Sequence, residues 1–413
     1  MNILAIETSC DDTCVSVLET GKNRLPRLEI LSNVVSSQVK IHEKWGGVYP
    51  TLAKREHQRN LTTILTQALV EARLLKSKII PPLSGQKSKM SAVYRQQIKN
   101  KKIKEILERE DILCEQLIKF LKNYQKPTTD LVAVTAGPGL EPCLWVGVNF
   151  AKTLSYFWDL PIIPINHIEA HIVANLLPQI SSKSKIIPLK TGQKSKIIEF
   201  PAICLVVSGG HTQLILMREI GKYKILGETR DDAAGECFDK VAKILGLGYP
   251  GGPIISQIAK KGNNGYPISI KLPRPMIYQK NYDFSFSGLK TAVLYNFKSQ
   301  PPKIRESKQY IQEMCAEFQQ AIVDVLIYKT LKAAKKHQAK SIILGGGVAA
   351  NEELRKQFKE KIKKEMPAAR YYIPDTKYCT DNAAMVGAAA YFHWPKEKTL
   401  WQKIEANANL RLS

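Results

Sequence analysis

Alternating apolar and polar stretches predict two similar strand–turn–strand units, one at the start of the chain and one near its middle. The first has apolar residues at 3–6 and 14–19 on either side of a polar turn. The second has apolar residues at 202–207 and 214–217 around another polar turn. Because both units share the order of strand, turn and strand, we predict a duplicated protein with two related lobes around a central cleft.

The remaining periodicity predicts an α/β protein. Apolar residues recur at helical spacing over residues 51–75, 105–125, 145–158 and 383–391. Short apolar runs that predict further strands lie at 131–135, 160–165 and 341–344. Strands that alternate with helices are typical of parallel sheets. We predict a first lobe over residues 1–165 and a second over 166–413, with the C-terminal helix as a candidate to pack on the first lobe.

The charge is strongly one-sided. Lys and Arg number 61 against 37 Asp and Glu, which gives a net charge of +24. A balance this basic favours a polyanionic partner such as nucleic acid. Part of the charge, however, lies in two basic inserts, at about 76–104 and 181–197, that contain nearly the same sequence string. They are either basic arms that touch a nucleic-acid backbone or surface insertions without a role, and we favour the second because charge alone is a weak signal.

The cysteine pattern and hydropathy exclude several classes of protein. The eight cysteines are scattered and form no CxxC pair, so neither a disulfide framework nor a zinc ribbon is indicated. The N-terminal residues lack the basic and apolar regions of a signal peptide, and no apolar run approaches the roughly 20 residues that a membrane span needs. We therefore expect a cytoplasmic protein without membrane contact.

The strongest candidate chemistry is a pair of histidines, His167 and His171, directly after the predicted strand at 160–165. Residues four apart on a helix share one face, so the two imidazoles are able to grip one metal ion. The spacing alone is weak evidence, and both residues would serve equally well as packing or capping groups. Asp381, near the start of the predicted helix at 383–391, is either an N-cap or a third metal ligand.

Three glycine-rich or hydroxyl-rich segments are candidates for holding phosphate. The first turn carries Asp11 among hydroxyls, and the second carries Ser208, Gly209 and Gly210. In the third, three glycines at 345–347 separate a strand from a helix N-terminus, which is a favourable anion site. Asp239 is a candidate to bind a ribose. Gly252, in a segment at 249–253 that we predict to be a rigid loop, would let a base approach.

Ten motifs in a fixed order resemble one known family. They are IETSCDDT at 6–13, HEKWGGVYPTLAKREH at 42–57, GPGL at 137–140, NHIEAH at 166–171, VVSGGHTQ at 206–213, GETRDDAAGECFDK at 227–240, GYPGGP at 248–253, FSFSGLK at 284–290, GGGVAAN at 345–351 and CTDNAAM at 379–385. Together they cover about residues 1–395. The chain resembles the catalytic subunits of bacterial tRNA threonylcarbamoyladenosine synthesis, the TsaD/Kae/Gcp family.

The resemblance implies a fold and a reaction. The fold is the actin-like ATPase (ASKHA) fold with its active site in the cleft. The reaction transfers a threonylcarbamoyl group from threonylcarbamoyl-adenylate to the N6 amine of adenosine-37, in tRNAs that read codons beginning with adenine, and it releases AMP. The expected partners are tRNA, a paralogous non-catalytic subunit (TsaB-like) and a small P-loop ATPase (TsaE-like).

The resemblance also implies roles for individual residues. One Fe²⁺ or Zn²⁺ ion would be held by His167, His171 and Asp381, and Asp11 matches a residue thought necessary for activity. The adenylate, with its ATP-derived AMP moiety, would be held by Val206, Val207, Ser208, Gly209, Gly210, Asp239, Gly252 and Asn351.

The chain departs from the family pattern at a few positions. Glu141-Pro142-Cys143-Leu144-Trp145 replaces a small apolar run after GPGL, Gly248 stands where Asp is common, and Ser256 stands where some relatives carry Asp. Three competing functions stay open. A sugar or acetate kinase of the same fold would have no need of the histidines, a metallopeptidase would need the absent HExxH motif, and a non-enzymatic ATP-binding module would contain no metal.

Overall fold

The computed structural model describes residues 1–21, 28–78, 97–178, 198–262, 269–394 and 399–412. The chain forms two compact units. The first comprises Met1–Gln38, Val48–Val173 and Asp381–Arg411, and the second comprises Val39–Gly47, Ala174–Thr380 and Leu412–Ser413. Both predicted basic inserts fall largely outside the described residues.

The first unit is built on a five-stranded mixed sheet. Its strands are β1 (Asn2–Glu7), β2 (Asp12–Thr20), β3 (Leu28–Ser37), β4 (Leu131–Gly137) and β5 (Ile162–Asn166). They lie in the order β3-β2-β1-β4-β5. The pairs β3–β2 and β2–β1 are antiparallel, whereas β1–β4 and β4–β5 are parallel. The parallel pairs bring the carboxyl ends of β1, β4 and β5 to one edge of the sheet.

The second unit repeats this sheet. Its strands are β6 (Ala202–Val207), β7 (Thr212–Glu219), β8 (Lys222–Glu228), β9 (Ser341–Gly345) and β10 (Arg370–Tyr372). The strands lie in the order β8-β7-β6-β9-β10, in which three antiparallel strands are again followed by two parallel ones. The predicted α/β class and internal duplication are therefore confirmed, and the paired sheets are those of an ASKHA protein.

Helices connect and cover the strands. In chain order the longer ones are α1 (Pro50–Glu71), α2 (Asp111–Asn123), α3 (Glu141–Trp158), α4 (His167–Val173), α5 (Ala234–Ile244), α6 (Gly251–Gly262), α7 (Ser287–Ser299), α8 (Lys308–Lys336), α9 (Glu352–Glu365) and α10 (Ala383–His393). Residues 97–106 are also helical, and Val39–His42 and Pro302–Arg305 form single turns. Within the described ranges no helix has the length and apolar character to cross a membrane.

Both faces of the first sheet are covered, which explains its continuous apolar strands. Leu4 and Ile6 pack with Leu61 and Leu65 of α1 in one buried cluster. On the opposite face α10 lies so close that a Cβ on Gly387 would come within 2.5 Å of Leu18. Each fully buried aliphatic side chain stabilises the fold by roughly 1.5–3 kcal/mol. The core therefore fixes both the N-terminal strands and the C-terminal helix of this unit.

Several sequence-based boundaries differ from the structure. The units divide after Val173 rather than after residue 165, because α4 packs with α10 and β5 in the first unit. The helix predicted over 105–125 is interrupted at 107–110. The prediction of a rigid loop over residues 249–253 is wrong in its second half, because α6 begins at Gly251. The edge strands β3 and β8 were not predicted, since their polar residues hide the period-two pattern of half-exposed strands.

A candidate metal centre and a glycine-lined turn

Local sequence explains how the two histidines come to share one face. The amide of Asn166, the last residue of β5, begins α4: its Oδ1 accepts hydrogen bonds from the backbone N–H groups of Ile168 and Glu169, at 2.9 and 3.3 Å. The helix then carries His167 and His171 one turn apart. Their ring centroids lie 4.6 Å from each other, and both side chains are buried.

Asp381 completes the cluster from a distant part of the chain. Asn382 is the N-cap of α10, since its Oδ1 accepts a hydrogen bond from Met385 N at 3.0 Å. The capping alternative for Asp381 is therefore wrong. Its carboxylate instead faces the histidines, with Oδ1 at 3.3 Å from Nε2 of His171 and 3.6 Å from Nε2 of His167. One ligand atom from each of the three residues lies within 4.8 Å of the others.

The buried carboxylate of Glu7 contacts His167 at the ring nitrogen that does not face Asp381. Glu7, at the end of β1, is fully buried, and its Oε2 lies 3.1 Å from Nδ1 of His167. The same carboxylate accepts hydrogen bonds from Thr135 Oγ1 at 2.6 Å and from Ser9 N at 2.5 Å. A carboxylate bonded to one ring nitrogen fixes the imidazole so that its other nitrogen is available to a metal. Glu7 was not singled out from the sequence, where it is one acid among several.

The ring nitrogens of His171 provide a test of whether a metal fits. Both are buried, and neither makes a well-formed hydrogen bond with a described residue, although Nε2 lies near Asp381. Unsatisfied buried nitrogens are costly, and a metal ion would satisfy one of them. Two imidazoles and one carboxylate are also a ligand set typical of Fe²⁺ and Zn²⁺. The residues present therefore fit one such ion.

The electrostatics of the two histidines differ. Burial alone would lower the pKa of His167, but the charges of Glu7 and Asp381 outweigh it and raise that pKa to about 9. The pKa of His171 is lowered, chiefly by burial. Without a metal, His167 is therefore the group that carries the proton at neutral pH, and a bound cation would take the place of that charge.

The acidic turn of the first unit contains a second unusual carboxylate. Asp11 accepts a backbone hydrogen bond from Gln38 N and is half-buried. Asp12 stands beside it at the start of β2, and its Oδ1 is buried without a hydrogen bond from any described residue. Burial, together with the charges of Asp381 and Asp11, raises the pKa of Asp12 to about 7. A carboxylate with this pKa is able to exchange protons at neutral pH.

The glycine-rich turn of the second unit is open above its backbone. Ser208 N donates to His211 O at 2.8 Å, and Ser208 Oγ accepts from His211 N at 3.1 Å, which closes the turn. A Cβ placed on Gly209 or Gly210 would meet no atom within 4 Å. Behind the turn the packing is tight, since a Cβ on Gly235 would lie 2.6 Å from Ser208 O. The turn is thus packed closely against Gly235 on one side, and Gly209 and Gly210 are accessible on the other.

The other residues predicted to bind the adenylate lie on neighbouring elements of the same unit. The side chains of Val206 and Val207 are buried in β6, which leaves only their backbone for contact with a ligand. Asp239 accepts a hydrogen bond from Gly251 N at 2.7 Å, which joins α5 to the start of α6 and places Gly252 in its first turn. Asn351 caps α9 through Leu354 N and also donates to Ser256 Oγ and Gln319 Oε1. Ser256, a departure from the family pattern, thus binds Asn351.

The duplicated sheets are those of the ASKHA class, and the candidate metal cluster of His167, His171 and Asp381 lies outside any HExxH motif. The sequence model of the family described as TsaD, tRNA N6-adenosine threonylcarbamoyltransferase, matches residues 29–80 and 104–388. The chain belongs to this family of transferases.

Full-length relatives agree with that assignment. A tRNA N6-adenosine threonylcarbamoyltransferase of Syntrophomonas wolfei is 41% identical over 392 residues, which cover 95% of this chain and 92% of the relative. One of Persephonella marina is 39% identical and covers 100% of this chain and 96% of the relative. A ROK hexokinase of Thermus thermophilus is 13% identical, with 96% of this chain and 100% of that chain covered and a TM-score of 0.42.

Proposed function

We propose that the chain transfers the threonylcarbamoyl group of threonylcarbamoyl-adenylate to the N6 amine of adenosine-37 in tRNAs that read codons beginning with adenine. AMP is the leaving group. Membership in the transferase family supports the reaction type. The observation that carries the proposal is the cluster of His167, His171 and Asp381, because a kinase or a simple nucleotide-binding module has no use for it.

The metal site would hold one Fe²⁺ or Zn²⁺ ion between His167, His171 and Asp381. When bound, the ion supplies a Lewis acid for a carbonyl or carboxylate of the acyl donor. Glu7 orients His167 through its Nδ1. These protein groups hold the site rigid, because all of them lie on strand ends or helix starts of one unit.

The glycine-lined turn of the second unit would receive the phosphate of the adenylate. Backbone N–H groups and a hydroxyl at Ser208, Gly209 and Gly210 are suited to an anion, and the absence of side chains permits close approach. Asp239 and Gly252 would bind the nucleoside, and Asn351 would order the loop before α9. Each of these roles is inferred from residue chemistry and from the family resemblance.

The chemical step requires a proton acceptor. The N6 nitrogen attacks the carbonyl carbon of the carbamoyl group, a C–N bond forms, the C–O bond to phosphate breaks, and the amine loses one proton. Asp11, which the resemblance implies is needed for activity, is one candidate acceptor. The structure favours Asp12 as a second candidate, because its pKa is raised to about 7, chiefly by burial, and its Oδ1 is unsatisfied among the described residues.

The two acids are separated by paired variants. If Asp12 is the acceptor, Asp12→Asn should reduce single-turnover transfer at least 100-fold while metal content and adenylate binding are kept, and Asp11→Asn should leave measurable transfer. Because the acceptor works deprotonated, wild-type transfer should rise with pH to a plateau. Full transfer by Asp12→Asn together with loss of transfer in Asp11→Asn would show that Asp11, and not Asp12, is the proton acceptor.

The protein is proposed to act in the cytoplasm with three partners. These are tRNA, a paralogous non-catalytic ASKHA subunit (TsaB-like) and a small P-loop ATPase (TsaE-like), which would support repeated turnover. The test of the function uses the full chain with those partners, unmodified tRNA and threonylcarbamoyl-adenylate, followed by mass spectrometry of the nucleosides. Threonylcarbamoyladenosine should form, and His171→Ala should abolish it whereas His337→Ala, in the second unit, should not. Absence of product with metal and adenylate bound would contradict the proposal.

A further inference from the structure

The first unit contains an open cavity of about 760 Å³ that takes no part in the function proposed above. Its walls include Lys54 of α1, Lys102 of the helical segment 97–106, Trp145 of α3 and Trp401 near the C-terminus. Neither Lys102 nor Trp401 lies in the residues matched by the family model. Trp145 belongs to the segment 141–145, where the sequence departs from the family pattern.

A buried carboxylate in the cavity wall is only partly satisfied. Glu110 is 1% exposed and occupies the N-cap position of α2, yet its side chain makes no capping hydrogen bond. Its Oε2 accepts one long hydrogen bond, from Asn149 Nδ2 at 3.3 Å. Its Oε1 accepts none from a described residue, and Lys54 Nζ stands 3.9 Å away. An acceptor that is buried and unsatisfied in this way indicates a ligand with N–H donors.

Aromatic and basic groups surround this acceptor. Trp145 and Trp401 are each partly exposed, so indole surface remains available in the cavity. Trp401 is held in place by an edge contact with Tyr156, with ring centroids 5.4 Å apart. The cations of Lys54, Lys102, Arg109 and Lys152 also line the cavity. Acidic residues balance this charge in number: Glu105 is paired with Lys102 at 2.8 Å, Glu108 lies 3.8 Å from Arg109, and Glu141 also lines the cavity.

We propose that this cavity binds one unpaired guanine nucleotide of the tRNA substrate, with the base against an indole and its edge on Glu110. This inference rests on the proposed function for the identity of the RNA. Guanine presents N1–H and the N2 amine side by side, a pair of donors that matches a carboxylate, which only accepts. Unstacked bases of single-stranded RNA are typically held by aromatic stacking and by hydrogen bonds to their edges.

The positions of the lysines, rather than the net charge of the wall, favour a nucleotide over a cationic ligand, because four cations and four carboxylates line the cavity. An alkylammonium or guanidinium group would also satisfy Glu110 and stack on an indole. It would, however, lie beside Lys54 Nζ, which stands 3.9 Å from the same carboxylate, and Lys102 Nζ already lies 5.9 Å from the centroid of the Trp401 ring. A nucleotide brings its own phosphate, which those cations attract. The cavity also suits a single base rather than a duplex, because its volume is of the size of a small-ligand pocket.

The first experiment measures quenching of tryptophan fluorescence by GMP, IMP and AMP, with the full chain and an excess of threonylcarbamoyl-adenylate that fills the proposed adenylate site. GMP should bind more tightly than IMP, which lacks the N2 amine, and AMP should bind most weakly. Glu110→Gln should weaken the binding of GMP at least tenfold and remove the preference for GMP over AMP. Trp145→Ala should weaken all three about tenfold, whereas Trp145→Phe should restore most of the binding because stacking is kept.

Matched controls change the same types of residue outside the cavity. Glu115→Gln changes an exposed carboxylate on α2, and Trp45→Ala removes a 61% exposed indole in the second unit, so both should leave GMP binding unchanged. Equal affinity for GMP and AMP in the wild type, or unaltered GMP binding by Glu110→Gln, would overturn the proposal. So would arginine amide binding that competes with GMP and exceeds it in affinity, since the cavity would then be a cation site.

A second measurement links the cavity to the tRNA. In the transfer assay Glu110→Gln and Trp145→Ala should raise KM for tRNA about tenfold and leave kcat and metal content unchanged. Unaltered KM in both variants would overturn the link to tRNA while leaving the transferase function intact. If the wild type forms no threonylcarbamoyladenosine at all, the proposed function fails instead, and the fluorescence titration still decides whether the cavity selects guanine.

Discussion

His167 shows how much the chemistry of this protein depends on a single neighbour. The imidazole lies between Glu7, at 3.1 Å from Nδ1, and Asp381, at 3.6 Å from Nε2. The bond to Glu7 determines which ring nitrogen faces the metal site. Glu169 lies between the two histidines on α4 and is bound instead to His393 Nε2 at 2.8 Å. His167 and Glu169, two positions apart on α4, thus contact different partners, Glu7 and Asp381 for the first and His393 for the second.

Replacement of Glu7 tests this orientation at the scale of one residue. Glu7→Gln keeps the shape of the side chain but offers an N–H where Thr135 or Ser9 already donates. We expect metal affinity to fall about 10–100-fold, as is usual for partners of metal-binding histidines. Metal content after dialysis, followed by titration with Zn²⁺ or Fe²⁺, measures the change. Glu19→Gln, exposed on β2, is the control, and equal metal binding by Glu7→Gln and wild type would contradict the assigned role.

Lys329 gives a second prediction at this scale, on pH-dependent stability. It is fully buried in α8, and its Nζ donates to the backbone oxygens of Asp283 at 2.6 Å and Asn281 at 3.3 Å. Burial, aided by the charge of Lys332, lowers its pKa to about 8. Between about pH 8 and the ordinary lysine pKa, the unfolded chain therefore binds more protons than the folded one. In that interval the free energy of unfolding contributed by Lys329 rises with pH.

The measurement compares wild type with Lys329→Met in urea at pH 7.5 and pH 10. Methionine has no charge to desolvate, so the difference in unfolding free energy between the two proteins should shift in favour of the wild type at the higher pH. The comparison cancels the titration of the other lysines and of the tyrosines. A difference that stays constant, or that shifts toward the variant, would show that the pKa of Lys329 is not lowered in the folded protein.

At the scale of elements, the connections after the parallel strands determine where ligands are able to approach. Gly346 follows β9 with φ of 88° and ψ of 165°, a conformation that side chains disfavour, and a Cβ there would lie 2.3 Å from Val207 O. The backbone after β9 is therefore seated directly against β6. The glycine is required by this close approach between two neighbouring strand ends, and the loop before α9 takes its path from it.

Gly346→Ala should therefore disturb the second unit and spare the first. We expect the unfolding free energy to fall by roughly 1–3 kcal/mol from backbone strain, with more from the clash. Binding of threonylcarbamoyl-adenylate should weaken at least tenfold, while the metal content should remain that of the wild type. Gly347→Ala is the matched control, because its Cβ would meet nothing closer than Thr380 Cγ2 at 4.0 Å. Equal adenylate affinity in both variants would contradict this role of the loop.

On the scale of the whole molecule, the net charge of +24 predicts that binding of the proposed tRNA substrate depends on salt. Phosphate contacts release counterions, so log affinity should fall linearly with log salt, with a slope of about −0.7 to −0.9 for each phosphate bound. Replacement of Lys183, Lys185, Lys190, Lys194 and Lys196 by serine removes the charge of the second insert, which we predict to have no role. The slope measured by tRNA binding at 50–200 mM salt should then stay unchanged. A slope smaller by several units would make that insert a tRNA-binding arm.

The sequence by itself determined the class of fold, most of the central strands, and the chemistry to look for. Strands buried on both faces are continuous apolar runs, which can be predicted from the sequence alone. The ordered motifs identified the family. His167 and His171 were readable as a pair because four residues of helix place them together. The edge strands β3 and β8 were not readable, since half-exposed strands carry mixed side chains.

Tertiary structure decided everything that depends on residues far apart in the chain. Asp381 faces His171 across more than 200 residues, and only the packing of α10 on the first sheet brings them together. Glu7, Asp12 and Glu110 resemble ordinary acids in the sequence. Burial is what makes each of them unusual, because a carboxylate removed from water must find a donor, a cation or a proton. That requirement arises only when distant elements close around the group.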